Sequence, residues 1–314
     1  DPANNIVHRE FLKEKGGAFT AVRADEDKEV LGSTDNWFRP VDLKTGPDGA
    51  IYLLDFYREV IETPLSLPED IKKQLNLESR GRGRIWRIAP TDFRPAKFPD
   101  LHAHSAKQLA DDLASANPWH RLTAQQLLIE KQERGAAARV RELLPNAKGT
   151  PRVANLLWAL HGLGVLEPAD LSEAFTDPEA GVREQALRLS EPFLATSAQL
   201  RARALTLAVD PSPRVRFQLS LSAGTLPPTE AARVVGQILE QDAADPWTVT
   251  AALSSAGACG FELLEALTAK GKQPSASVVA RLSAMIGAKG EVKQIARALT
   301  ILRERELTAT REGN

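Results

Sequence analysis

Five times in this sequence a residue able to cap a helix stands directly before a proline: Asn117-Pro118, Thr150-Pro151, Asp177-Pro178, Asp210-Pro211 and Asp245-Pro246. A capping oxygen takes an orphan N–H of the first helical turn, and proline at the first helical position gives up a donor that had no partner. The prolines recur at intervals of 33, 27, 33 and 35 residues, the period of a two-helix unit in an α-solenoid. Apolar residues follow at helical spacing: Val153, Leu156, Leu157 and Leu160; Val182, Ala186 and Leu189; Val215 and Leu219. Second helices lie between the starts, as in Ala231 to Leu239. Such pairs bury their stripes only by stacking on the next pair.

The first hundred residues obey a different pattern. They hold ten of the seventeen aromatic residues, and the short runs Ala18 to Ala24, Glu29 to Ser33, Val41 to Lys44, Ala50 to Tyr57 and Arg84 to Ile88 read as strands. Thr45-Gly46-Pro47-Asp48-Gly49 closes a hairpin between the third and fourth, with proline presetting a turn φ and glycine supplying the positive one. The run Ile51 to Phe56 does not alternate apolar with polar, so both faces of that strand are expected to be covered, as in a propeller blade between sister sheets. After Ile88 come Pro90, Pro95 and Pro99, so no fourth strand is expected and the sheet keeps an open edge.

Charge and composition exclude several classes. Lys plus Arg number 40 against 41 Asp plus Glu, so nucleic acid has no broad basic face to bind. No apolar run reaches the roughly 20 residues of a spanning helix, and no transmembrane segment is expected. The lone Cys259 forms no internal disulfide and no CxxCH haem attachment. The only methionine is Met285, so the sequence reads as a piece of a longer chain.

Two stretches resemble known families. Val182-Arg183 and Val215-Arg216, each shortly after Asp-Pro, are similar to HEAT-type repeats. Asp35-Asn36-Trp37-Phe38-Arg39-Pro40, Gly46-Pro47-Asp48-Gly49-Ala50-Ile51-Tyr52, Asp55-Phe56-Tyr57-Arg58-Glu59 and Gly83-Arg84-Ile85-Trp86 resemble the last blade of the β-propeller in the membrane-bound dehydrogenase-like, PVC-type haem-binding proteins of planctomycetes and verrucomicrobia. Asn4-Asn5-Ile6-Val7-His8-Arg9 fits the approach to that blade. The resemblance implies a mixed, two-domain fold: the C-terminal blade region of a propeller over 1–90, a linker over 91–104, HEAT-like helical repeats forming an α-solenoid over 105–305 and a tail over 306–314.

It implies a periplasmic or cell-envelope protein that oxidises a sugar or alcohol and passes electrons to a haem c domain beyond these residues, with a quinone and Ca²⁺ as further cofactors. The partners implied are the rest of the propeller and that haem domain, and the helical part is a scaffold or spacer. The alternative is a non-catalytic module that binds carbohydrate or protein, the latter on the solenoid face.

Hairpin geometry brings the start of the first strand and the end of the second to one rim. Asp35, Arg39, Asp55, Tyr57, Arg58, Glu59 and Glu62 therefore meet there, with Trp37 and Phe38 beside them. Carboxylates can bind Ca²⁺ or act as a base, arginines can hold an anion and aromatic faces can stack on a ring. Equally, the charges can pair with one another and the rings wedge neighbouring blades. His8 and Arg9 are further candidates because they lie in a segment covered by the resemblance. His102 and His104 share a strand-like spacing without a third ligand and read as solvated linker, while His120 and His161 read as packing or surface residues of helices. Arg183 and Arg216 occupy equivalent repeat positions and are expected to bridge neighbouring helix pairs.

Overall fold

The structure, a computed structural model, describes residues 1–269, 272 and 274–312, with the side chains of the last helix described as far as Glu304. The chain divides into two compact units, Asp1–Lys13 with Thr20–Ala136, and Glu14–Phe19 with Ala137–Asn314.

Seven strands lie at the N-terminal end: β1 (Ile6–Val7), β2 (Glu10–Lys15), β3 (Ala18–Arg23), β4 (Leu31–Gly32), β5 (Pro40–Thr45), β6 (Ile51–Asp55) and β7 (Arg84–Ile88). β1 pairs with β4 and β2 with β3, and β5-β6-β7 form an antiparallel sheet with β6 in the middle. Leu43, Leu53 and Trp86 are registered across that sheet, as are Asp42, Leu54 and Ile85 on its other face. Among the described residues the strands close into no barrel or propeller.

The expected hairpin turn is present. Gly46 N–H donates to the Ala50 carbonyl at 2.8 Å and Gly49 N–H to that of Gly46 at 3.0 Å, and Gly49 takes φ +89°. Gly46 is required for a different reason: a Cβ there would lie 2.3 Å from the Tyr52 ring.

The expectation that β6 is covered on both faces is corrected. Leu53 is fully buried against Val7, Phe38, Leu31 and Ile88, whereas Ile51 and Leu54 are exposed, as are Leu43, Trp86 and, at 71%, Ile85. The one small layer that packs on this sheet covers Leu53 but leaves Leu43, Ile51 and Trp86 on that face exposed, and Leu54 and Ile85 lie exposed on the other face. In the first hundred residues the buried apolar side chains are Val7, Phe38, Pro40, Ala50 and Leu53.

The helices are α1 (Glu69–Lys72), α2 (Ala106–Asp112), α3 (Pro118–Glu130), α4 (Ala137–Ala147), α5 (Arg152–Gly162), α6 (Pro168–Leu171), α7 (Ala180–Leu194), α8 (Ala198–Thr206), α9 (Pro213–Ser222), α10 (Pro228–Asp242), α11 (Pro246–Ser255), α12 (Gly260–Thr268), α13 (Ala276–Lys289) and α14 (Val292–Glu312). α14 runs past residue 306, where a tail was expected; Gly313 and Asn314 lie outside the described residues.

α2 and α3 belong to the first compact unit, so the change of composition near residue 100 does not coincide with its boundary at Ala136. The reason is local. Asn117 Nδ2 donates to the carbonyls of Gly46 (3.0 Å) and Pro47 (3.1 Å), and His120 Nε2 lies 3.0 Å from the same Pro47 oxygen. The hairpin turn is thereby fastened to the start of α3.

In the second unit, alternate helices pack on each other. α5, α7, α9 and α11 follow one another in one row, and α10, α12 and α14 in a second. The stripes expected from the sequence form the core: Val153, Leu156, Leu157 and Leu160 of α5, Val182, Ala186 and Leu189 of α7, and Val234, Val235, Ile238 and Leu239 of α10 are buried. Each large side chain of this kind contributes about 1.5–3 kcal/mol.

The cap-proline pairs play two roles. Asn117 and Asp245 cap as expected, accepting from Trp119 N–H, and from Trp247 and Thr248 N–H. The expectation for the other three is corrected: α5 begins after Pro151 without a side-chain cap, α7 begins at Ala180 and α9 at Pro213. Asp177 and Asp210 instead close the turns ahead of α7 and α9 by accepting from Glu179 N–H and Ser212 N–H. This orientation frees them to tie repeats together.

Arg183 Nε and Nη2 donate to both Asp210 oxygens at 2.7 Å, while its Nη1 donates to the Asp177 carbonyl at 2.8 Å. One repeat on, Arg216 forks Asp242 at 2.6 Å and donates to the Asp210 carbonyl. Gly149 N–H completes the series at Asp177 Oδ2. Fork-to-carboxylate geometry orients as well as attracts, so Arg183 and Arg216 bridge neighbouring pairs in the way the sequence suggests.

Candidate functional site

The rim opposite the Gly46–Gly49 turn is built by continuation of the β5–β6 pairing. Phe56 N–H donates to the Arg39 carbonyl and Arg58 N–H to that of Trp37, each at 2.9 Å. Asp35, Trp37, Arg39, Asp55, Tyr57, Arg58 and Glu59 are thus brought to one end of the sheet. Glu62 is exposed farther along the chain. Tyr57 turns the chain with φ +42°, a conformation that costs about 1–3 kcal/mol for a non-glycine residue.

Arg39 and Asp55 form the frame of this rim. Asp55, 2% exposed, accepts Arg39 N–H at 2.8 Å, Tyr57 N–H at 2.9 Å and the Trp86 indole N–H at 3.0 Å. Arg39, 5% exposed, donates to the carbonyls of Arg58, Glu59 and Pro2 at 2.8–3.0 Å. Both have their hydrogen-bonding capacity engaged by the chain itself, so they hold the rim in shape and offer no free group to a ligand. Glu59 accepts Asn76 N–H at 2.7 Å, and Asp35 accepts Trp37 N–H at 3.0 Å.

On this frame sits a stack of rings and guanidinium groups. Arg82 Cζ lies 5.3 Å from the Trp37 ring centroid, Trp37 and Tyr57 are 5.6 Å apart, and Arg84 Cζ lies 3.2 Å from the Tyr57 ring and 5.4 Å from that of Trp86. Arg58 Cζ lies 4.6 Å over Phe56. Arg82, Arg84 and Trp86 were not among the rim residues expected from the sequence. The signal for them is register: pairing of Asp55 with Arg84 across β6 and β7 fixes their place, and a sequence reading limited to one hairpin does not include the third strand.

His8 and Arg9 join another cluster. His8 Nδ1 lies 2.7 Å from Glu29 Oε2 and its Nε2 3.6 Å from Glu10, Arg23 also reaches Glu29, and Arg9 pairs with Asp25 at 3.0 Å. The His8 hydrogen bond holds Glu29 below the ordinary carboxylate range against the opposing effect of burial. His104 pairs with Asp112 at 2.7 Å.

At the other end of the sheet Asp48 is buried beneath Tyr52 and Arg87. Burial opposes its charge, yet Ala50 N–H, the Tyr52 hydroxyl and Arg87 keep its pKa lowered, while burial and Asp48 raise that of Tyr52. Beside this turn lies an open groove of about 630 Å³ lined by Tyr52, Phe98, Trp119, Leu122 and Lys44 among others.

Among the described residues no three His, Cys, Asp or Glu side chains converge to hold a metal ion. Cys259 is buried, and that burial pushes its thiol up to about 11. No described helix is long and apolar enough to cross a membrane.

A family described as "Domain of unknown function (DUF7133)" matches residues 1–92. Comparison with curated proteins gives no match. The matched stretch contains all seven strands and the rim.

Proposed function

We propose that residues 1–92 are the closing blade region of a larger β-propeller, and that the helices form a HEAT-like α-solenoid acting as scaffold or spacer within an extracytoplasmic, dehydrogenase-like protein. The observation that carries this reading is the uncovered sheet. Leu54 and Ile85 lie exposed on one face of a three-stranded sheet whose outer strands keep free edges among the described residues, and Leu43, Ile51 and Trp86 lie exposed around the buried Leu53 on the other. Exposed apolar side chains on both faces and two open edges are what a blade presents when its neighbours are taken away. The HEAT-like reading is supported by the alternating helix rows and by the arginine-aspartate ties at a repeat's spacing.

In this reading the oxidation of a sugar or alcohol, and the haem that receives the electrons, belong to segments beyond these residues. The full-length gene product tests it. We expect covalently bound haem from a CxxCH segment, and quinone-dependent reduction of an artificial acceptor by at least one member of a sugar and alcohol panel. A full-length protein with neither haem nor turnover refutes it. The groove lined by Tyr52, Phe98 and Trp119 favours a second reading, a non-catalytic module that binds carbohydrate or protein, since aromatic walls of this kind suit sugar faces.

A further inference from the structure

Two consecutive glycines, Gly16 and Gly17, form the tip of the β2–β3 hairpin, and this tip, Glu14–Phe19, belongs to the second compact unit. The turn itself requires Gly16, which takes φ +58°. It does not require Gly17, whose φ lies outside the left-handed region. What holds residue 17 to glycine is the surface beneath it. A Cβ there would stand 2.8 Å from Cγ and Cδ2 of the Phe217 ring in α9 and 2.9 Å from Phe217 Cβ. A Cβ on Gly16 would likewise stand 2.9 Å from the carboxyl carbon of Asp245 at the start of α11.

Polar and stacking contacts complete the seat. Gly17 N–H donates to Asp245 Oδ2 at 2.9 Å, Arg214 Nη1 donates to Glu14 at 3.1 Å, and Arg214 Cζ lies 4.4 Å from the centre of the Phe19 ring. On the helix side, Asp245 and Arg214 each have another partner. Asp245 accepts from the Thr248 hydroxyl at 2.6 Å, and Arg214 also pairs with Glu184. Departure of the tip therefore strands neither charge, which is the event that makes breaking a buried pair costly. α9 and α11 pack on each other, with Val215, Leu219, Ala252 and Leu253 buried.

The hairpin has no comparable support. β2 is exposed along its whole length and β3 along most of it, and among the described residues the two strands pair only with each other. A ribbon of two strands is at best marginally stable by itself, so its order depends on the seat.

We propose that the Gly16-Gly17 tip is a latch, a two-state contact that engages the first turns of α9 and α11 and comes away as a unit while the helices stay folded. The seat selects a turn with no side chain at its second glycine, and β2 and β3 lose their pairing when the tip leaves it. Such an opening is local, and its free energy lies well below that of unfolding the helices.

The test is amide hydrogen exchange of the full chain, read by mass spectrometry over residues 10–23 and over α9 and α11 separately. The unaltered chain is expected to show protection in both. Gly17→Ala is expected to quicken exchange in residues 10–23 about 10-fold or more, the effect of overpacking one contact, and to leave α9 and α11 at their original rate. In a Phe217→Ala background the ring is gone and the tip has room to move off the remaining Cβ, so Gly17→Ala is expected to add less than about 3-fold. The proposal is overturned if residues 10–23 are unprotected in the unaltered chain or unchanged by Gly17→Ala. It is overturned equally if α9 and α11 quicken along with the hairpin, or if Gly17→Ala acts as strongly beside Phe217→Ala as alone.

Discussion

Replacing Arg183 by methionine keeps much of the stem and removes the fork that joins Asp177 to Asp210. The Arg183 side chain is 10% exposed and that of Asp210 is 3% exposed, so the aspartate left behind remains out of water with only Ser212 N–H to satisfy it. The intact pair owes little net stability to its attraction, because both ions are desolvated, whereas removal of one partner leaves a buried charge and costs about 3–5 kcal/mol. For a unit of this size about 2–4 °C is lost per kcal/mol, so a fall of roughly 6–20 °C in Tm is expected.

Urea unfolding of Arg183→Met, Asp210→Leu and the double variant supplies the coupling energy directly. The double variant is expected to be more stable than Arg183→Met alone, since it carries no stranded charge. Hydrogen exchange is expected to quicken in α7 and α9 before α12, because each pair contacts only its neighbours. A loss below about 1 kcal/mol in Arg183→Met, or strict additivity in the double variant, refutes the reasoning.

Three other outcomes follow from particular residues. Burial resists ionisation of Asp245, but hydrogen bonds from Thr248, Gly17 and Trp247 outweigh it and lower its pKa below the ordinary 3.8. Its stabilising effect is therefore present above pH 3.8 and lost as pH falls through the lowered folded value; acid titration of Asp245→Asn by circular dichroism should show a shallower fall below pH 4, and an unchanged profile contradicts this. Cys259, with its thiol pushed up to about 11 and its side chain buried, should label with a disulfide reagent at pH 8 only on unfolding; rapid labelling of the native chain contradicts it. Gly46→Ala places a Cβ 2.3 Å from the Tyr52 ring and should cost about 1–3 kcal/mol by overpacking, read as a lower melting temperature, with an unchanged melt as the refuting result.

The helical half was legible because its signals are local. Helical spacing and repeated cap-proline pairs depend on a few neighbouring residues, and Leu156, Leu160 and Val235 face inward as their spacing requires. What Asp210 does was only half legible: a capping aspartate and a bridging aspartate look alike until Arg183, 27 residues away, is in place. The rim was legible as a meeting of Asp35–Arg39 with Asp55–Glu59, since one hairpin fixes it. The part played by Arg82, Arg84 and Trp86 was not, because it depends on pairing with a strand that returns after residues 56–83. Coverage of β6 was misjudged because an unbroken apolar run records what a strand is suited to lie against, while exposure depends on what is there.

The aspartates at 177 and 210, 33 positions apart, each look backward with the side chain and forward with the carbonyl, although Asp177 meets the Gly149 N–H behind it and Asp210 the Arg183 fork. Cutting out residues 178–210 joins Asp177 to Pro211 and sets Arg216 six positions beyond Asp177, the offset Arg183 has now. The shortened protein keeps the Arg216–Asp242 fork and gives Arg216 the Asp177 carbonyl in place of that of Asp210, so the principal tie of the array survives loss of a module of this length.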